Sequence, residues 1–186
     1  MATTEIFFYK FLVTKQVFFK SRHTYALVNL KPLVPGHVLV VPLRTSILRF
    51  ADLTPEESID YMNTLQLVHR FVKHIYRADA LNIAIQDGPE LGQSVPHLHT
   101  HIIPRCKTDG YGDSIYTKLE VEDLESQYEE FFARKKAYRE KYEDAVDKEL
   151  AKSDSDRVPR TEETMEKEAN WLAQELEKFR AVEGAL

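Results

Sequence analysis

His97, His99 and His101 recur at every second position at the end of the run Gly92-Gln93-Ser94-Val95-Pro96-His97-Leu98-His99-Thr100-His101. On a strand, alternate side chains face opposite ways, so these imidazoles share one side while Leu98, Thr100 and Ile102 are left to pack on the other. That arrangement suits a central nucleophile with flanking helpers. A free imidazole titrates at about 6.5, so much of it is neutral and nucleophilic at cytosolic pH. Ring nitrogen attacks phosphorus well, and a phosphoryl-imidazole divides one hard step into two easier ones. For one nitrogen to attack, the other must carry the proton and donate it to a fixed acceptor such as a backbone carbonyl. Gly92, Gln93, Ser94 and Val95 supply glycine, amide, hydroxyl and backbone N–H groups just ahead of the histidines. Such donors suit phosphate oxygens, and phosphoryl transfer depends chiefly on positioning and charge stabilisation.

A bound metal is the rival chemistry. Neighbouring histidines of the row lie ~7 Å apart and can converge on one zinc, whereas the outer pair, ~13–14 Å apart, gives a poor shared site. Further ligands would have to come from Asp87 or Glu90. His69 and His74 fall in a helical pattern away from this loop and read as ordinary surface or boundary histidines.

Short β-type runs at 17–20 and 24–29, joined by Ser21-Arg22-His23, read as a hairpin. After Pro32, Pro35 and Gly36, the β-branched run 37–41 reads as a buried strand closed by Pro42. Thr54, Pro55 and Glu57 form a capping-box start for a helix. Ile59, Met62, Leu65, Val68 or Phe71, Val72 and Ile75 then make its predicted inward stripe. A strand at 81–86 ends at the turn Asp87-Gly88-Pro89, and the histidines lie on a strand at 97–103 stopped by Pro104. Residues 116–152 are dense in Glu, Lys and Tyr and read as a solvated, partly mobile insertion, with Phe131, Tyr138, Tyr142 and Ala145 permitting a weak helical face. Ser153-Asp154-Ser155-Asp156 reads as a flexible joint. A last helix begins at Thr161, with Met165, Ala169, Leu172, Leu176 and Phe179 on one face and Trp171 at its edge.

Of 186 residues, 43% are apolar and 30% charged, and the net charge is −5. This fits a globular domain and disfavours wholesale adsorption to nucleic acid. The longest uncharged apolar run, 33–43, is broken by Pro35, Gly36 and His37 and falls short of the roughly 20 residues of a membrane span. The N-terminus lacks the residue order of a secretory signal, and the single cysteine, Cys106, points to a reducing compartment. The expected location is the cytoplasm, with the nucleus as a second. Cys106 itself reads as a boundary residue without a role.

At the alternating histidines the sequence resembles the histidine triad (HIT) superfamily. Ala26-Leu27-Val28-Asn29, Lys31-Pro32, Val34-Pro35-Gly36-His37-Val38-Leu39-Val40, Gln86-Asp87-Gly88-Pro89-Glu90, Pro104-Arg105 and Ser114-Ile115-Tyr116 are similar to its fragile-histidine-triad (Fhit) branch, fungal dinucleoside triphosphate hydrolases above all. The resemblance implies an α+β fold. Each protomer would have an antiparallel sheet of about five strands, a long helix and a C-terminal helix, with the sheet continued across a homodimer. It implies a catalytic domain at 1–117, a charged insertion at 118–160 and a docking helix at 161–186. The implied reaction is hydrolysis of diadenosine triphosphate to AMP and ADP. His99 would be the nucleophile, His97 its support and His101 the orienting group on the reacting phosphate, with His37 buttressing the row. Gln86, Gly92, Gln93, Ser94 and Val95 would surround the phosphates, Asn29 would contact the ribose and Leu27 would wall the base. Lys10 falls where the family often has a histidine beside the base. No obligatory cofactor is implied; Mg²⁺ or Mn²⁺ could accompany the polyphosphate. Two alternatives share the resemblance. One is a slow enzyme whose substrate-loaded form signals, with Tyr116 matching a tyrosine implicated in signalling. The other is an adenylyl phosphoramidase of the Hint type.

Overall fold

The capping signal Thr54-Pro55-Glu56-Glu57 starts a helix as predicted. In the computed structural model of the chain, which describes residues 5–107, 109, 111, 112, 114, 115 and 159–183, helix α1 spans Pro55–Ile75. Thr54 Oγ1 accepts the Glu57 N–H at 3.3 Å while Glu57 Oε2 accepts the Thr54 N–H at 2.9 Å, so two of the helix's orphan donors are satisfied. Arg44 bonds both oxygens of that carboxylate, at 2.8 and 2.7 Å, and holds its pKa down at about 2.

The inward stripe of α1 differs from the predicted one. Tyr61, Leu65, Val68, Phe71 and Val72 are buried, while Ile59 and Met62 face solvent. Tyr61 owes its place to its hydroxyl, which donates to the Val40 carbonyl at 2.9 Å and accepts from the Thr100 hydroxyl at 2.7 Å. A phenol can be buried where its polar end is satisfied in this way.

Strands β1 (Phe7–Phe8) and β2 (Phe11–Leu12) form a small hairpin. Strands β3 (Val17–Lys20), β4 (Thr24–Val28), β5 (Val38–Pro42), β6 (Ala80–Ile85) and β7 (Thr100–Arg105) form one sheet in the order β3-β4-β5-β7-β6, antiparallel throughout. Its register sets Val17, Leu27, Leu39, His101 and Ala84 in one row across all five strands. On one face Ala26, Val28, Val38, Val40 and Ile102 pack under the helices; on the other, Tyr25, Leu27, Leu39 and Val41 pack against Ile6, Phe8, Val13 and Val95. With helices confined to one face, the architecture is α+β.

The triad strand departs from its predicted limits at both ends. It begins at Thr100, because the Leu98 N–H bonds the Ile47 carbonyl at 2.8 Å and the His97 N–H the Val95 carbonyl at 2.8 Å instead of joining the ladder. It continues through Pro104, which pairs with Leu81. Arg105 turns its carbonyl toward Asp79 on the β6 side, so the N–H that Pro104 lacks falls on the β5 side, where pairing already ended at Ile102.

Helix α2 (Glu162–Glu183) follows Thr161, whose hydroxyl accepts the Thr164 N–H at 3.3 Å. Met165, Ala169, Leu172 and Leu176 are buried against the sheet and α1, as the pattern predicted, and Trp171 stays half exposed with its ring edge-on to Tyr76. Apart from residues 159 and 160, the predicted insertion at 118–160 lies outside the described residues, as does Tyr116. Among the described residues no helix is long and apolar enough to cross a membrane.

Candidate active site

Three backbone groups fix the tautomer of each histidine. Tyr9 donates its N–H to His97 Nδ1 at 3.0 Å, which leaves the proton of the neutral ring on Nε2. His99 reverses this: its Nδ1 lies 2.8 Å from the His97 carbonyl, an acceptor only, so Nδ1 carries the proton and Nε2 the lone pair. The Leu33 N–H donates to His37 Nδ1 at 3.1 Å, so His37 donates from Nε2 to His101 Nδ1 at 2.9 Å. His101 in turn carries its proton on Nε2. The middle ring therefore presents a lone pair, and the rings on either side present N–H donors. Burial pushes the His99 pKa below the ordinary imidazole value, against the opposing pull of the His97 carbonyl.

The rings are close together. His99 and His101 centroids are 5.0 Å apart, edge to face. Phe8 stands against both His97 and His99, at 5.6 and 5.3 Å. Both His99 and His101 open onto a cavity of about 210 Å³. Its polar lining includes these two imidazoles, Ser94, Asn29, Gln16 and Lys31; its apolar walls include Phe8, Phe11, Val13, Leu27, Leu39 and Val95. An apolar slot ending in a cluster of hydrogen-bonding groups matches a nucleoside with a phosphate at one end.

Of the predicted site residues, Leu27, Asn29, Ser94, Val95, His99 and His101 line this cavity, whereas His37, His97, Gln86, Gly92 and Gln93 stand behind or beside it. Gln93 Nε2 donates to the Leu48 carbonyl at 2.8 Å and Gln86 Nε2 to the Leu91 carbonyl at 2.9 Å, so both amides brace the loop leading to the histidines. Gly92 closes the short turn Pro89–Leu91 at φ +81°, a conformation that side chains rarely adopt. Lys10 is exposed at the β1–β2 turn, its ammonium 5.9 Å from the Tyr9 ring, and does not line the cavity.

The β1–β2 hairpin was missed by sequence reasoning, and with it Phe8, Phe11 and Val13. Two-residue strands are too short to show periodicity. The signal that could have revealed them is the aromatic cluster Phe7-Phe8-Tyr9-Lys10-Phe11 ahead of the first predicted strand. Among the described residues, no group of three or more His, Cys, Asp or Glu side chains is placed to hold a metal ion.

The model of the HIT domain family matches residues 11–108. Bis(5'-adenosyl)-triphosphatase of Saccharomyces cerevisiae is 51% identical over 191 aligned positions, covering 94% of this chain and 93% of that one. The asymmetrical bis(5'-nucleosyl)-tetraphosphatase of Schizosaccharomyces pombe is 43% identical, covering 90% of this chain and 92% of that one. Among solved structures, the NitFhit protein of Caenorhabditis elegans superposes with a TM-score of 0.62 at 25% identity, covering 94% of this chain and 31% of that longer one.

Proposed function

The chain belongs to the histidine triad (HIT) family, in its Fhit-like branch, and on that premise we propose that it hydrolyses diadenosine triphosphate to AMP and ADP through a nucleotidyl intermediate on His99. The observation that carries the reading is the tautomer order: one Nε2 lone pair, flanked by N–H donors, at the polar end of an apolar cavity.

One adenosine occupies the cavity, its base between Phe8, Leu27 and Leu39 and its ribose beside Asn29. His99 Nε2 attacks the α-phosphorus, a P–N bond forms, and the bond to the bridging oxygen breaks. ADP leaves already anionic, so little general-acid help is needed. His101 Nε2–H steadies a non-bridging oxygen, Ser94 and the loop N–H groups share the charge, and the His97 carbonyl takes up the developing positive charge through Nδ1–H. Water then attacks the same phosphorus, the P–N bond breaks, and AMP departs with His99 restored. A divalent cation, Mg²⁺ or Mn²⁺, would be held by the polyphosphate itself and would offset part of its charge. Because the fission-yeast relative is named a tetraphosphatase, the tetraphosphate belongs to the same substrate class.

A homodimer completes the proposal. One edge of the sheet, β3, packs against α2, while the other, β6, has no further strand beside it among the described residues and carries Ile83 at 46% exposure. An open edge with an exposed apolar residue favours pairing with a second copy. The lone cysteine fits a cytoplasmic location, with the nucleus as a second.

The direct test compares His99→Asn with the parent. Dinucleotide binding persists in the variant and AMP release is lost; equal turnover would remove His99 as nucleophile. Diadenosine triphosphate, diadenosine tetraphosphate and adenosine phosphoramidate assayed together rank the substrates, and a phosphoramidate preference of several orders of magnitude would overturn the choice of branch.

A further inference from the structure

Strand β4 ends at Val28, paired with Val38, so the chain leaves the ladder at Asn29, where Asn29, Leu30 and Lys31 line the cavity. Arg160, next to the start of α2, takes hold of it there. Its Nε donates to the Asn29 carbonyl at 3.0 Å and Nη2 donates to the same oxygen; its backbone N–H donates to the Leu30 carbonyl at 3.1 Å. Nη1 pairs with Glu168 of α2. Glu168 also accepts the Tyr76 hydroxyl at 3.3 Å. The Tyr76 ring in turn closes over Gly36, where an added Cβ would meet it at 2.6 Å, beside His37.

The Asn29 amide is held within its own loop, where its Oδ1 accepts the Lys31 N–H at 3.1 Å. Its Nδ2 lies 3.2 Å from His37 Nε2, a packing contact between two donors, since that ring gives its proton to His101. Asn29 is thus held at its side chain by the Lys31 N–H and at its backbone carbonyl by a guanidinium that does not line the cavity.

We propose that Arg160 is a positioning residue for nucleotide binding, which locks the Asn29–Lys31 rim to α2 and so sets the Asn29 amide against the ribose. This rests on the hydrolase reading above, and on the Asn29 ribose contact in particular. Lysine cannot replace it fully. The planar fork of arginine bonds the carbonyl and the carboxylate together, whereas an ammonium is a single point of charge. An inert salt bridge would leave sugar recognition untouched.

The test is calorimetric titration of AMP and 2',3'-dideoxy-AMP into the full-length parent, Arg160→Ala, Arg160→Lys, Asn29→Ala and the double variant. The parent prefers AMP by roughly fivefold to tenfold, the worth of one or two neutral hydrogen bonds. Arg160→Ala loses that preference while its dideoxy-AMP affinity stays within about twofold of the parent, the range left when no hydrogen bond is broken. Arg160→Lys lies between, and adding Asn29→Ala to Arg160→Ala costs nothing more. Glu168→Gln, a milder change, moves in the same direction and guards against a variant that fails to fold. Equal weakening of both nucleotides, or penalties that simply add, overturns the proposal. A parent that binds AMP without sugar preference also overturns it, while the hydrolase reading, judged by His99→Asn, would stand.

Discussion

At the scale of single residues, the chemistry lies in where three protons sit. The row of histidines is legible from spacing alone, and so is the wish for a carbonyl behind the nucleophile. Which ring carries which proton is not legible, because it is decided by backbone N–H groups at Tyr9 and Leu33, the former 88 positions from the ring it meets. In the proposed reaction a neutral His99 is the reactive form, and burial lowers its pKa. As pH falls, activity therefore holds through the ordinary imidazole range and declines only below about 6.5. A kcat/KM profile for the triphosphate under excess Mg²⁺ checks this; an acid limb above that value contradicts the buried, neutral nucleophile.

At the scale of elements, the helix start was readable because a capping box is a local signal; Arg44, thirteen positions from Glu57, was not part of it. The inward face of α1 was misread for a related reason. A periodicity count favours apolar Ile59 and Met62, whereas the fold rewards Tyr61 for bonds to Val40 and Thr100 that no pattern within the helix can show. The Glu57 carboxylate, with its pKa lowered from 4.5 to about 2 mainly by the Arg44 hydrogen bond, stabilises the fold above pH 4.5 and loses that contribution as pH falls toward 2. The gap in unfolding free energy between parent and Glu57→Gln should shrink across that window, and a gap independent of pH would contradict the pair's role. Thr54→Ala, which removes the other half of the box, should cost about 1 kcal/mol in denaturant unfolding at neutral pH.

At the scale of the whole molecule, the site is assembled from chain segments far apart in sequence: the β1–β2 hairpin, the β4 exit, the loop before β7 and, through Arg160, the foot of α2. Resemblance gave the α+β class and the broad layout, yet the apolar wall came from two-residue strands that carry no pattern of their own. Among the described residues nothing pairs with the outer edge of β6, and the proposed dimer rests on that feature of the sheet topology. Sedimentation should find the parent dimeric at micromolar concentration and Ile83→Arg monomeric, since an edge charge opposes strand pairing. A monomeric parent would contradict the proposed continuation of the sheet. Mass spectrometry of the protein quenched in acid-free denaturant during turnover of diadenosine triphosphate bears most directly on the central claim. The account predicts an AMP adduct on the peptide holding His99, absent from His99→Asn; an adduct on another residue, or none while AMP is being released, would contradict it.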